Sequence, residues 1–504
     1  MSTAPRDPYR PVAHLRPPRN WINDPNGLVF HDGHYHVFYQ YNPYGATHAN
    51  MHWGHFRSSD LLNWEPLPIA LSPAPGGEDA DGCFSGNAVS DGDRLVAFYS
   101  ANRWDRSPQH QPVTSATSLD GGRTFTPRGE LLIGELPEGC TMYRDPYVWR
   151  DGDGWRMLVG AALADGRGAA LLYESPDLDN WTYLGPFDAR EQAPVGGTDL
   201  HTGEGWECPQ YLPGQSGRAG ALIFSAWNSH DGARCVTALV GEEHGDVFEA
   251  GAPVFVDHGP DCYAPALLRA PGGRWLLWGW SWEAREESWA VADGWAGVLT
   301  LPREISVDGD GTLRQRPAAQ LLHLRGRHTV HTEGETHGPE PVELGGVGRV
   351  FDLTARLEPS GAAGLRLLTS PDGSEYLDIR LDAAAGELVV DRDHASADTR
   401  AHGGSYRMPC PTGRPVELRV VVDHSIAEVF LTSTGQALTL RFYPTGDGPW
   451  RLQARTAPDA RLGYAVDAWE LLPLVIKEPS TGTEPPQGAA HMTEHRPRRR
   501  KGPC

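Results

Sequence analysis

One local pattern returns five times in the first 300 residues, and its spacing limits what this chain can fold into. The segments are Asn23-Asp-Pro-Asn-Gly-Leu-Val-Phe, Phe84-Ser-Gly-Asn-Ala-Val, Arg144-Asp-Pro-Tyr-Val-Trp, Glu207-Cys-Pro-Gln-Tyr-Leu and Tyr263-Ala-Pro-Ala-Leu-Leu. Each begins with polar or aromatic residues, passes a Pro or Gly, and runs into apolar ones. A Gly-bearing turn follows each, and then a strongly apolar run begins, at positions 36, 95, 155, 220 and 274. Those starts lie 54 to 65 residues apart. Bulky β-formers bounded by Gly turns read as buried strands. Outer elements repeat too, since Ser58-Ser-Asp-Leu-Leu-Asn-Trp matches Ser175-Pro-Asp-Leu-Asp-Asn-Trp. Four-stranded units at a long period predict a β-propeller, and the count gives five blades.

The composition agrees with an all-β chain. Its 59 Gly and 43 Pro make up about a fifth of 504 residues, against roughly 12% in an average protein, so turns are frequent and strands short. Beyond residue 347, short runs with period-two alternation (Arg349-Val-Phe-Asp-Leu-Thr, Val416-Glu-Leu-Arg-Val-Val-Val, Ile426-Ala-Glu-Val-Phe-Leu) predict a β-sandwich. The expected organisation is a propeller over 1–305, a linker over 306–325, a sandwich over 326–475 and a disordered tail over 476–504. A net charge of −21 argues against nucleic acid or an anionic membrane as partner. The first residues lack the apolar run of a secretion leader, and nothing approaches the ~20 apolar residues needed to span a bilayer. Seven scattered cysteines without redox or metal spacing read as reduced thiols, which together with the missing leader points to a cytoplasmic protein.

The propeller converts spacing into geometry. Its innermost strands line one axis, so Asp24, Asp145 and Glu207, placed alike in repeats one, three and four, are expected to converge across gaps of 121 and 62 residues. Three carboxylates at one axis raise one another's pKa, and nothing structural asks for that. They are therefore expected to form a site. Two carboxylates flanking a glycosidic bond are the usual equipment for hydrolysing it, one as nucleophile and one as acid/base. A third negative group can stabilise the cationic transition state or hold sugar hydroxyls. Trp21, Trp53, Phe84, Trp206 and Trp280 offer flat faces for a sugar ring.

Trp21-Ile-Asn-Asp-Pro-Asn-Gly, Phe84-Ser-Gly, Arg144-Asp-Pro and Glu207-Cys-Pro, in that order, resemble the signature blocks of glycoside hydrolase family 32, which contains invertases, levanases and inulinases. His14-Leu-Arg-Pro, Phe38-Tyr-Gln-Tyr-Asn-Pro and Met51-His-Trp-Gly-His resemble it as well, and Val422-Asp-His-Ser-Ile-Ala-Glu-Val-Phe resembles its sandwich domain. The resemblance implies a retaining enzyme that releases terminal β-fructofuranosyl units, with Asp24 as nucleophile, Glu207 as acid/base and Asp145 as transition-state stabiliser. It implies that Asn23, Gln40, Trp53, Phe84, Ser85, Arg144 and Trp280 line the fructose pocket. Sucrose and short fructo-oligosaccharides are the expected substrates, with polymeric inulin or levan as the alternative. No cofactor or metal is implied, and a homo-oligomer through the sandwich is possible. Negative neighbours at Asp24 and Asp145 would let Glu207 keep its proton, while Arg144 would help keep Asp145 or its surroundings ionised. Gln210 stands where invertases of the family commonly carry an acidic residue, which puts it close enough to affect the acid/base. Asn87 replaces a frequent Ser.

Blander readings compete at several positions. The crowded His31, His34, His36, His48, His52 and His55 point to both faces of their strands and lack an acidic ligand set, so catalytic metal binding is not expected. Cys208 reads as a small packing residue, because the repeat places no His base beside it. A non-catalytic sugar-binding propeller is the competing function class, and related five-bladed propellers act on arabinose or xylose polymers. The presence of all three carboxylates favours the enzyme.

Overall fold

Each of the five repeats folds into one antiparallel sheet in the computed structural model, which describes residues 7–478 except 108 and 215–217. Blade 1 runs Asn20–His31, His34–Asn42, His52–Ser58 and Asn63–Leu71. Blades 2, 3, 4 and 5 begin with Gly82–Asp91, Cys140–Asp151, Gly205–Leu212 and Tyr263–Arg269. These first strands neighbour one another in cyclic order, and the fifth returns to the first. The ring is closed by Trp295 and Ala296, which pair in parallel with Asn20 and Trp21. The apolar runs of the repeats are the second strands, such as Arg94–Asn102 and Gly220–Asn228. They are buried nearly throughout because a blade covers each face.

The linker expected over 306–325 is not a linker. Arg303–Val307 and Leu313–Pro317 pair as the two outer strands of blade 5, and a 3-10 turn, Ala319–Leu324, leads into the sandwich. Their charged, alternating sequence reflects an outer edge with one solvated face. The sandwich consists of two six-stranded sheets. Inward residues from both, among them Phe351, Leu365, Val420 and Leu438, form a single core. Val475 and Ile476 add a parallel strand to Asn63 and Trp64 of blade 1, so residue 476 does not belong to the disordered tail expected over 476–504. Residues 479–504 lie outside the described part.

Propeller and sandwich are joined by buried charges. Asp423 accepts the main-chain N–H groups of Val12, Ala13 and His14 and the His14 ring at 2.8 Å. His14 also meets Glu428 at 3.1 Å, and Glu428 pairs with Arg303, which reaches Asp257 at 2.7 Å. Burial opposes the charge on His14, but its two carboxylate partners prevail and raise its pKa. Two of the blade 1 histidines, His36 and His55, are buried packing residues that face each other at 3.0 Å, and burial lowers both, His36 to about 3. The six described cysteines are free thiols. Among the described residues no helix is long and apolar enough to cross a membrane.

Candidate active site

A register break interrupts the first strand of every blade at the same height. It falls between Ile22 and Pro25, Cys83 and Gly86, Arg144 and Tyr147, Glu207 and Gln210, and Tyr263 and Ala266. Bulges of this kind bend a strand and re-aim its side chains. In blades 3, 4 and 5 the residue before Pro takes a left-handed conformation, Asp145 at φ 62°, Cys208 at 49° and Ala264 at 47°. Such backbone is strained for residues with a Cβ and collects at functional sites. The N–H groups freed by the bulges are taken up across blades. Ser100 Oγ accepts from Asp145 N at 2.8 Å, Ser225 Oγ from Ala264 N at 2.9 Å, and the Asp145 carboxylate itself accepts from Cys208 N at 3.0 Å.

The three carboxylates do not occupy equivalent places, as the repeat suggested. Asp24 and Asp145 each precede a Pro, whereas Glu207 stands one residue earlier and Cys208 holds the matching position. They converge nonetheless. Cys208 Sγ lies 3.7 Å from Asp24 Oδ2 and 3.6 Å from Asp145 Oδ2, so one thiol bridges the two aspartates. Burial, then Asp145, Asp24 and Glu207, drive its pKa well up, which keeps it a neutral donor. Ser85 Oγ donates to Asp24 Oδ2 at 2.5 Å, and Asn23 Nδ2 reaches Asp24 Oδ1 at 3.0 Å. Glu207 is held from the other side: Arg144 Nη1 meets Oε1 at 3.1 Å and the Tyr263 phenol donates to Oε2 at 2.7 Å.

The pKa of Asp145 is raised, to about 7. Burial is the largest cause; Glu207 and Asp24 add to it, while Arg144 and the Cys208 amide oppose it. Asp145 is 5% exposed, and the Arg144 guanidinium makes its ion pair with Glu207, the residue on which the sequence reading expected a retained proton. The cluster therefore holds a proton up to about neutral pH, on Asp145 in the resting geometry.

The expected pocket residues fall into three groups. Asn23, Ser85 and Arg144 contact the carboxylates, and Phe84 precedes Ser85 on the first strand of blade 2. Trp280 and Trp21 stand together at the rim with ring centroids 5.6 Å apart, and Trp282 stacks on Tyr263. Gln40 and Trp53 lie behind this surface, fully buried, donating to the carbonyls of Cys83 and Phe84 at 3.0 Å each. They support the wall and present no open face. Trp206 is also no sugar platform: it is buried, stacked on Phe224 at 4.0 Å. Gly160 lets its backbone come close, because a Cβ there would lie 2.1 Å from Trp206 O. Gln210 does not reach Glu207; its amide accepts from Leu267 N at 2.9 Å and ties blade 4 to blade 5. Asn87 does the same between blades 2 and 3, exchanging two hydrogen bonds with Val148. Three contributors escaped the sequence reading. Tyr263 heads the fifth repeat and was visible there, whereas Ser100 and Gln109, which contacts Arg144, carry no sequence signal.

Comparison with known proteins agrees with this geometry. Residues 14–317 match the glycosyl hydrolases family 32 N-terminal domain, and residues 320–457 match the C-terminal domain of that family. The first match ends where blade 5 ends. A sucrose-6-phosphate hydrolase of Escherichia coli is 33% identical over 459 residues, covering 86% of this chain and 90% of that protein. A raffinose invertase of Escherichia coli is equally similar, at 33% over 459 residues, with 87% and 90% covered. Among solved structures, a β-fructofuranosidase of Bombyx mori superimposes with a TM-score of 0.75 at 26% identity, covering 94% of this chain and 95% of its own. Fructan 1-exohydrolase IIa of Cichorium intybus shares the fold, with a TM-score of 0.81, 24% identity and 93% and 98% coverage.

Proposed function

The chain belongs to glycoside hydrolase family 32, and we propose that it is a β-fructofuranosidase that hydrolyses sucrose by a retaining double displacement on Asp24, Asp145 and Glu207. Asp24 attacks the anomeric carbon of the fructosyl unit as Glu207 protonates the glycosidic oxygen, and the leaving sugar departs. Glu207 then takes a proton from water, which attacks the fructosyl–Asp24 ester and frees fructose with its configuration retained. The observation that carries this reading is the asymmetric anchoring of the carboxylates. Ser85 and Asn23 donate to Asp24, and the single proton of the neutral Cys208 thiol lies within reach of either Asp24 or Asp145. Such donors lower the nucleophile's freedom and fix its attacking oxygen.

The proton on Asp145 has a place in this scheme. Fructose hydroxyls donating to Asp145 favour its anion, so substrate binding releases that proton within the cluster. Glu207 is the acceptor beside the leaving oxygen. Arg144 must then loosen from Glu207, and its second contact with Gln109 gives it somewhere to stay. Asp145, once ionised, faces the cationic transition state in a buried setting where charge stabilisation is strong.

Fructose release by the purified protein from sucrose, raffinose, inulin and levan, beside Asp24→Asn, tests the reading. Sucrose turnover that disappears in the variant supports it. Turnover confined to inulin or levan keeps the mechanism and moves the substrate to polymeric fructan, and unchanged activity in the variant overturns the assignment of Asp24.

A further inference from the structure

On a regular strand, residues three apart face opposite sides. His328 and His331 on Arg325–His337 do not, because the register slips at Thr329. His328 stands opposite Trp469, Val330 opposite Ala468, and His331 opposite Asp467. The extra residue brings both imidazoles to the face that carries Asp467 and Trp469. His328 Nε2 lies 2.9 Å and His331 Nδ1 2.7 Å from one oxygen, Asp467 Oδ1. All three ligand atoms fall within 4.8 Å of one another. The His328 ring lies flat on Trp469, 4.6 Å away at 8°. Arg325, 3.8 Å from the same indole, is tied to Asp352 at 2.8 Å. One ligand is thus pre-oriented by packing, while His331 is exposed and free to adjust.

We propose that His328, His331 and Asp467 bind a divalent first-row transition metal ion, with zinc the natural occupant. Two imidazole nitrogens and one carboxylate oxygen, with water in the open positions, suit Zn²⁺, Co²⁺, Ni²⁺ or Cu²⁺ and not the all-oxygen preference of Mg²⁺ or Ca²⁺. Bonds of about 2.0–2.2 Å to a common ion require the ligand atoms to separate by a few tenths of an ångström from their present hydrogen-bond distances. Rotation of the exposed His331 supplies that. A surface ion pair alone stabilises little, and it gives no reason for three groups to meet on one oxygen across a bulge. No metal was expected from the sequence, where His328 and His331 stand 136 or more residues from Asp467; the set forms only across two paired strands. The ion would clip Arg325–His337, an edge strand and the first after the propeller, to Arg461–Leu471. It takes no part in catalysis.

The test uses the full-length, untagged protein stripped with chelator and titrated with Co²⁺ near neutral pH, followed by visible absorption, with Zn²⁺ as competitor. One Co²⁺ per chain is expected, displaced by Zn²⁺, and His331→Ala or Asp467→Asn should each weaken binding by about tenfold or more. His331 is largely exposed, so its removal leaves the fold intact, and unchanged sucrose hydrolysis verifies that. Zinc should raise the melting temperature of the parent and not of His331→Ala. Binding of equal strength in both variants, or no cobalt uptake by the parent at millimolar concentration, overturns the site.

Discussion

Replacing Asp145 by Asn is expected to stabilise the protein at alkaline pH while removing its activity. In the folded state Asp145 keeps its proton to about 7, against 3.8 as the ordinary value, chiefly through burial and then through Glu207 and Asp24. Between those values the folded chain binds more protons than the unfolded one, so stability falls as pH rises and the loss is complete above about 7. At about 1.4 kcal/mol for each pH unit, the full effect is about 4 kcal/mol. Asparagine is close in shape, carries no charge, and can still accept the Cys208 N–H that lies 3.0 Å from Oδ2. The variant should therefore exceed the parent in unfolding free energy by about 2–4 kcal/mol at pH 8 and by no more than about 0.5 kcal/mol at pH 4. Urea unfolding followed by tryptophan fluorescence at the two pH values measures this. A variant no more stable than the parent at pH 8, or a gain of equal size at pH 4, refutes the reading of Asp145 as a carboxyl whose charge the fold opposes.

Glu207→Gln should lower kcat/KM on sucrose by about 10²–10⁴-fold, and by much less on a fructoside with an activated leaving group that needs no proton. Steady-state kinetics on both substrates separates the two. His14→Ala should destabilise the protein by about 3–5 kcal/mol, because it leaves Asp423 buried without its cation and removes one of the two from Glu428, which keeps Arg303. The sign with pH follows from a raised His14 and lowered Asp423 and Glu428. The loss should be largest between the carboxylate range and 6.5, and should shrink as pH rises through the folded-state pKa of His14, as denaturant titrations at several pH values will read. Gly160→Ala should destabilise strongly, by about 2 kcal/mol or more in thermal or urea unfolding, since its Cβ would meet the Trp206 carbonyl, which is backbone and cannot swing away.

Much of this molecule is legible in its sequence because a propeller writes its period into the chain. The apolar second strands at 36, 95, 155, 220 and 274 have no other way to be buried, and the carboxylates ahead of them inherit one end of the ring. The one-place offset of Glu207, which precedes Cys208-Pro209 where Asp24 and Asp145 directly precede Pro, stands in the sequence itself. What sequence could not supply is the local geometry of the bulges, which leaves Asp24, Asp145 and Cys208 unpaired and Glu207 as the last paired residue before its break. Trp206 illustrates a second gap: aromatic content beside a catalytic residue says nothing about which face of the strand it takes, and on a strand the neighbour of an outward residue points inward. Gln210 shows a third, since a side chain three positions from Glu207 serves the adjoining blade instead. The outer strands of blade 5 looked like a linker because Pro302, Gly309, Gly311 and Pro317 punctuate them, and those residues prove to bound two short strands and the turn between them.

A covalent fructosyl–Asp24 ester is the intermediate on which the mechanism stands. Glu207→Ala should form it from a fructoside with a good leaving group and then stall, because no base remains to activate water. Intact-mass measurement of the stalled enzyme, followed by peptide mapping, reads it directly. One added fructosyl unit on the peptide carrying Asp24 is the expected result. An adduct on Asp145, or turnover of that substrate with no adduct on any residue, contradicts the mechanism.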